Sequence, residues 1–148
     1  MNAKAMEPFA LALLDYFRGN EAATFVVRRD DGLKTTLPAG HFFQAAEDFS
    51  DIDNAALGLC KGRVLDLGAG AGRHSLVLQS KGFSVIAIDV SPHLVEVMTE
   101  RGVEHVHCGD IFDYDDGPFD TLLMLGHGIG VVETVSGLDR FLEHAKRL

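Results

Sequence analysis

The chain reads as an α/β protein built on a parallel sheet, and three observations carry that reading. From Gly62 onward, short apolar runs alternate with helix-length segments. The run Val64-Leu65-Asp66-Leu67 opens directly into Gly68-Ala69-Gly70-Ala71-Gly72, and each later apolar run ends in an acid or a glycine. Strands that alternate with helices pair in parallel through right-handed crossovers.

Before this core, Met6, Phe9, Ala10, Leu13, Leu14 and Phe17 recur at helical spacing along one face. Pro8 suits the first turn of that helix and Gly19-Asn20 its stop. Residues 24–28 and 33–37 flank Asp30-Asp31-Gly32, the pattern of a hairpin with a tight turn. Residues 41–59 read as one or two short helices, with Ser50 or Asp51 as a cap. In the core, the strand at 64–67 leads through the glycine loop into a helix over 72–81 that stops at Gly82. A second strand, 83–88, ends in Asp89, and Ser91-Pro92 starts the next helix with a cap followed by proline. A third strand over 103–108 ends in Gly109-Asp110, and a fourth over 119–125 ends in Gly126-His127-Gly128. A last helix starts near Gly137 and is still running at Leu148. Residues 1–59 thus read as a helix, a hairpin and a following segment, and residues 60–148 as the core.

Composition bounds the function. The 148 residues are 47% hydrophobic, one domain's worth of chain. There are 22 Asp and Glu against 13 Lys and Arg, a net charge of -9. That balance argues against nucleic-acid or anionic-membrane partners, which call for a basic face. No apolar run approaches the roughly 20 residues of a membrane span. The apolar stretch from Phe9 to Leu14 is too short for a signal peptide and lies between Glu7 and Asp15. Cys60 and Cys108 read as reduced thiols, consistent with a cytoplasmic protein. His105 and His107 alternate on a strand but lack a third ligand, so no metal is expected.

Ligands of parallel α/β sheets bind at the carboxyl ends of the strands. A dinucleotide loop wants Gly-x-Gly-x-x-Gly, but here the third-glycine position holds Arg73. Asp66, two residues before the first glycine, would repel a pyrophosphate. It suits a ligand that carries an ammonium and a sulfonium, charges that point to S-adenosylmethionine. Asp89 can accept from both hydroxyls of a ribose, a feature NAD sites share. Asp110 can accept from an adenine amino group while the Ile111 N–H donates to the ring. An NAD-dependent or nucleotide-sugar enzyme is disfavoured by Asp66 and Arg73.

The stretch from Val64 to Leu76 resembles motif I of the class I S-adenosylmethionine-dependent methyltransferases. Val85-Ile86-Ala87-Ile88-Asp89-Val90-Ser91-Pro92 is similar to their second motif, Cys108-Gly109-Asp110-Ile111-Phe112 to the third and Pro118 to Gly126 to the fourth. The resemblance implies a Rossmann-like sheet of order 3-2-1-4 with helices on both faces. It implies that Asp66, Gly68 and Gly70, with Ala69 between them, border the methionine moiety. Asp89, beside Val90, would bind the ribose, and Asp110 with Ile111 the adenine. The backbone of Leu125 or Gly126 would contact the methionine amine, and Arg73 the methionine carboxylate. The family's segment before motif I commonly forms a lid, which makes His41-Phe42-Phe43 the candidate contact here.

For the acceptor, His127 in its glycine-rich loop is the candidate general base. The fourth motif lacks the Asn or Asp followed by Pro-Pro and an aromatic that resembles amino-methylating DNA enzymes, and there is no Pro-Cys nucleophile. A small-molecule acceptor is expected. The family's sheet normally has seven strands, whereas the residues after Leu125 suffice for one helix. The resemblance therefore implies a truncated chain, and a cofactor-binding fragment without turnover is the alternative function. The fourth strand, left as an apolar edge, is expected to be capped by a partner chain, by the last helix or by the hairpin, with a homodimer favoured.

Overall fold

A computed structural model describes residues 3–126 and 128–148. Helix α1 (Ala3–Phe17) buries Ala10 and Leu13 completely. They pack against Leu94 and Val97 and against Ala71 of the glycine loop. Pro8 lies inside α1 rather than at its first turn. A proline there removes one helical hydrogen bond, and burial of the stripe that follows outweighs that loss. Strands β1 (Thr24–Arg28) and β2 (Lys34–Pro38) form the expected antiparallel hairpin, with Phe25 opposite Leu37 and Val27 opposite Thr35. Residues 39–43 and 46–48 form single 3₁₀ turns, and helix α2 (Asp51–Leu59) begins at a capping box between Ser50 and Asp53.

The core comprises β3 (Arg63–Leu67), α3 (Arg73–Ser80), β4 (Ser84–Asp89), α4 (Pro92–Glu100), β5 (Val106–Cys108), β6 (Thr121–Leu123) and α5 (Val135–Ala145). The sheet order is β5-β4-β3-β6, all parallel, which is the expected 3-2-1-4. Residues of β3 alternate between two cores. Val64 packs with Leu78 and Val85 on one face, whereas Leu65 and Leu67 pack with Ile88, Ile111 and Phe141 on the other. Each such leucine contributes roughly 1.5–3 kcal/mol by leaving water. This two-sided burial explains why β3 reads as a nearly continuous apolar run.

The outer strands are shorter than the sequence suggests. Pairing in β5 covers only 106–108, and β6 only 121–123. Each has one paired neighbour among the described residues. The last helix begins at Val135, two residues ahead of Gly137, because the Thr134 hydroxyl accepts from Gly137 N at 2.9 Å as its cap. It ends at Ala145 rather than running on to Leu148. The hairpin does not cap β6. Its Phe25 instead joins the cluster around α1. Helix α5 covers a face of the sheet, with Phe141 in the cluster that Leu122 and Met124 join. Asp120, at the amino end of β6, accepts from Arg63 N at 2.7 Å and so pins that strand to β3. No described helix is long and apolar enough to cross a membrane.

Candidate functional site

A cavity of about 1360 Å³ opens over the carboxyl ends of β3, β4 and β5. Its lining includes Asp66, Gly68, Ala69, Gly70, Arg73, Asp89, Val90, Asp110, Ile111, Leu125 and Gly126. Every cofactor-site candidate read from the sequence therefore faces one space. The loop that follows β3 turns against the next strand, because Gly68 N and Ala69 N both donate to Ile88 O, at 2.9 and 3.1 Å. Gly70 sits at φ 60° with nothing within 4 Å of where a Cβ would stand. Gly72 is the opposite case. At φ 76°, its Cβ would meet Val103 at 2.9 Å and Met98 at 3.0 Å. One glycine keeps the cavity open, and the other lets the loop close on α4.

Asp66 is 2% exposed, and its carboxylate accepts from the Ser75 hydroxyl at 2.6 Å. Burial pushes its pKa up to about 6 against the pull of that hydroxyl, and the nearby Asp89 adds to the rise. Asp89 has both carboxylate oxygens organised by backbone, with Gly70 N at 3.1 Å and Ser91 N at 3.0 Å. Burial also raises this carboxyl, although the backbone donors oppose it. Asp110 begins the turn after β5, where its Oδ1 accepts from Phe112 N at 3.1 Å.

Arg73 lines the cavity, yet its guanidinium is engaged from behind. It donates to Gln44 Oε1 at 2.9 Å and to Asp53 Oδ1 at 3.4 Å, and lies over the Phe49 ring. Asp53 also meets His74 Nε2 at 3.0 Å and accepts from the Ser50 hydroxyl at 2.6 Å. Burial works against ionisation of Asp53, but Ser50, His74 and Arg73 together hold its carboxyl below the usual range. His74 is pushed down, first by burial and then by the Arg73 cation. Sequence reading missed this cluster. Its one legible signal was the Ser50-x-x-Asp53 spacing of a capping box, which says nothing of Arg73 or His74.

Of the lid candidates, His41 and Phe42 line the cavity, whereas Phe43 turns away to pack on Tyr16 and Phe17. His127 lies outside the described residues, and its neighbours Gly126 and Gly128 line the cavity. His107 packs on the Tyr114 ring.

Residues 64–148 match the family model described as a methyltransferase domain. The chain belongs to that methyltransferase family. A crystal structure of an S-adenosylmethionine-dependent methyltransferase from Bacteroides fragilis, in complex with S-adenosyl-L-homocysteine, superposes with a TM-score of 0.85. It is 32% identical, and the match covers 100% of this chain and 62% of that one. A demethylmenaquinone methyltransferase from Clavibacter sepedonicus is 38% identical over 91 residues, which cover 57% of this chain and 37% of that protein. A magnesium-protoporphyrin O-methyltransferase from Rhodobacter capsulatus is 33% identical over 69 residues, covering 43% of this chain and 31% of that protein. The chain thus matches less than half the length of these two curated relatives.

Proposed function

We propose that the cavity binds S-adenosylmethionine and that the chain serves methyl transfer to a small-molecule acceptor. The observation that carries this reading is the set of three carboxylates, Asp66, Asp89 and Asp110, around one glycine loop in one cavity. The residues fit the cofactor chemically. Asp89 is already held by Gly70 and Ser91 and retains acceptor capacity for two ribose hydroxyls. Asp66 gains from a cation beside it, because its pKa stands at about 6 without one. The open space over Gly70 admits the methionine moiety against backbone. Asp110 and Ile111 take the adenine, and the Leu125 or Gly126 backbone takes the methionine amine.

When bound, the cofactor supplies an electrophilic methyl group on a sulfonium. The chain's own contribution is to hold and orient it, and methyl transfer gains chiefly from such positioning. His127 is the candidate base for a hydroxyl or amine acceptor. Arg73 reaches the methionine carboxylate only by sharing its guanidinium with Asp53 and Gln44. The net charge of -9 supports a small molecule over a nucleic acid. The alternative reading is cofactor binding without turnover. We further propose a homodimer through the outer edge of β6, which light scattering after size exclusion tests directly. A clean monomer removes it.

Calorimetry with S-adenosylmethionine, S-adenosylhomocysteine and NAD tests the cofactor. Both adenosyl ligands are expected to bind and NAD is not. Binding of NAD alone sinks the proposal.

A further inference from the structure

The cavity has a second wall that the cofactor reading leaves unused. It is made by α1, the hairpin and the turn after it, and presents Phe9, Phe25, Val27, Leu37 and Phe42. The Phe9 ring meets Phe25 at 5.0 Å and Phe42 at 4.9 Å, both edge to face, and Phe25 lies 5.8 Å from Phe42. The register sets Phe25 opposite Leu37 and Val27 opposite Thr35, so all four share one face of the hairpin. The three rings pack against the Ala10 and Leu13 cluster yet stay half-exposed, which leaves ring surface for the cavity.

Size and charge narrow what can sit there. Ligand pockets run roughly 300–1,000 Å³, and about 1360 Å³ leaves room beside one ligand for another. Among the described lining residues there is no lysine, and the one arginine, Arg73, is engaged by Asp53 and Gln44. The facing wall carries Asp66, Asp89 and Asp110. An anionic ligand would therefore lose its hydration on an apolar wall and face three carboxylates.

Building on the cofactor reading, we propose that this aromatic wall is the acceptor subsite and that it takes an uncharged, ring-bearing, apolar acceptor. In the transfer, the acceptor's nucleophilic atom bonds to the methyl carbon as the sulfur–methyl bond breaks. That bond's electron pair stays on sulfur, giving the neutral thioether, and the proton displaced from the acceptor leaves to solvent, directly or through a base. Rings set edge-on and tilted to one another offer faces and edges to a flat ligand, while the carboxylates remain with the cofactor.

The test uses the full chain saturated with S-adenosylhomocysteine and the neutral fluorescent probe N-phenyl-1-naphthylamine. The probe is expected to bind, and 1-naphthamide to displace it at about tenfold lower concentration than 1-naphthoate, its anionic counterpart. Phe25→Ala should weaken the probe about fivefold or more while S-adenosylhomocysteine affinity stays within about twofold. Val27 is 41% exposed, so Val27→Lys leaves the packing intact. That variant should shift the preference toward 1-naphthoate. If the homocysteine ligand binds but the probe does not, or the naphthoate competes as well as the amide, or neither variant changes probe binding, the subsite is wrong and the cofactor reading stands. If the homocysteine ligand itself fails to bind, both fall.

Discussion

The carboxylate wall of the cavity is organised before any ligand arrives, whereas the hairpin wall stays half-exposed. Asp66 and Asp89 are 2% and 8% exposed, with hydrogen bonds to Ser75, Gly70 and Ser91 fixing their oxygens. Phe25 and Val27 carry no such bonds and depend on ring contacts with α1 and its neighbours. A wall that must recognise one cofactor gains from preorganised polar groups, since each one fixed in advance is entropy not lost on binding. A wall that sorts acceptors works through shape and through the exclusion of charge. Outside the cavity lining, Asp53 joins α2 to Arg73 and His74 at the start of α3.

Removing that joint should do the most damage. Asp53→Ala is expected to cost about 3 kcal/mol in urea unfolding, because it takes the carboxylate partner from the nearly buried Arg73 and half of the capping box that starts α2. A loss below about 1 kcal/mol would mean that the pair is worth no more than an exposed one. Next, Gly72→Ala should cost roughly 2–3 kcal/mol through left-handed strain and contact with Val103 and Met98. Gly70→Ala should cost only about 1 kcal/mol in stability, yet weaken adenosyl binding, because its added methyl projects into open space. Equal stability losses would break the contrast between the two glycines.

Asp89→Ala should weaken S-adenosylhomocysteine by about 1–3 kcal/mol in calorimetry, the worth of a charge-assisted pair, and leave probe binding at the hairpin wall unchanged. Asp66 makes the cofactor wall sensitive to pH. Its folded pKa of about 6 lies above the ordinary 3.8. The folded state therefore holds the extra proton between those values, and Asp66 weakens stability as pH rises from about 4 to 6. Asp66→Asn should flatten that fall. For the cationic S-adenosylmethionine the sign is opposite. Affinity should drop about tenfold, some 1.4 kcal/mol, as pH falls from about 7 to 5 and the carboxylate is protonated. The uncharged thioether should show less of this. Ser91→Ala should likewise cost about 1 kcal/mol of stability, for the lost cap on Leu94 N.

The buried centre of the fold was legible because its chemistry is local. β3 and β4 are buried on both faces and read as apolar runs, and Asp89 and Gly68 to Gly72 sit where those runs end. The edges read poorly. β5 and β6 pair on one side only, so their apolar residues extend beyond the ladder and made both strands look longer than they are. Pro8 misled because proline marks helix starts on average, and here the buried stripe of Ala10 and Leu13 decides the boundary. The pairing of Asp53 with Arg73 and His74 did not show in the sequence, since Asp53 lies on α2 and the other two on α3, and only the packing of those helices gives them a shared charge environment.

By itself, the sequence determined the strand–loop–helix grammar, the sheet order implied by the four motifs, and the strand-end acids and glycines that border one side of the cavity. Hydrophobic period, turn chemistry and strand-end acids are written within a few residues of one another. Only the tertiary structure decided that Arg73 is shared with Gln44 and Asp53, that Asp66 sits in surroundings that raise its pKa to about 6, and that three phenylalanines from separate elements form one wall. Desolvation and ring contacts depend on every neighbour in space, and those neighbours are far apart in the chain.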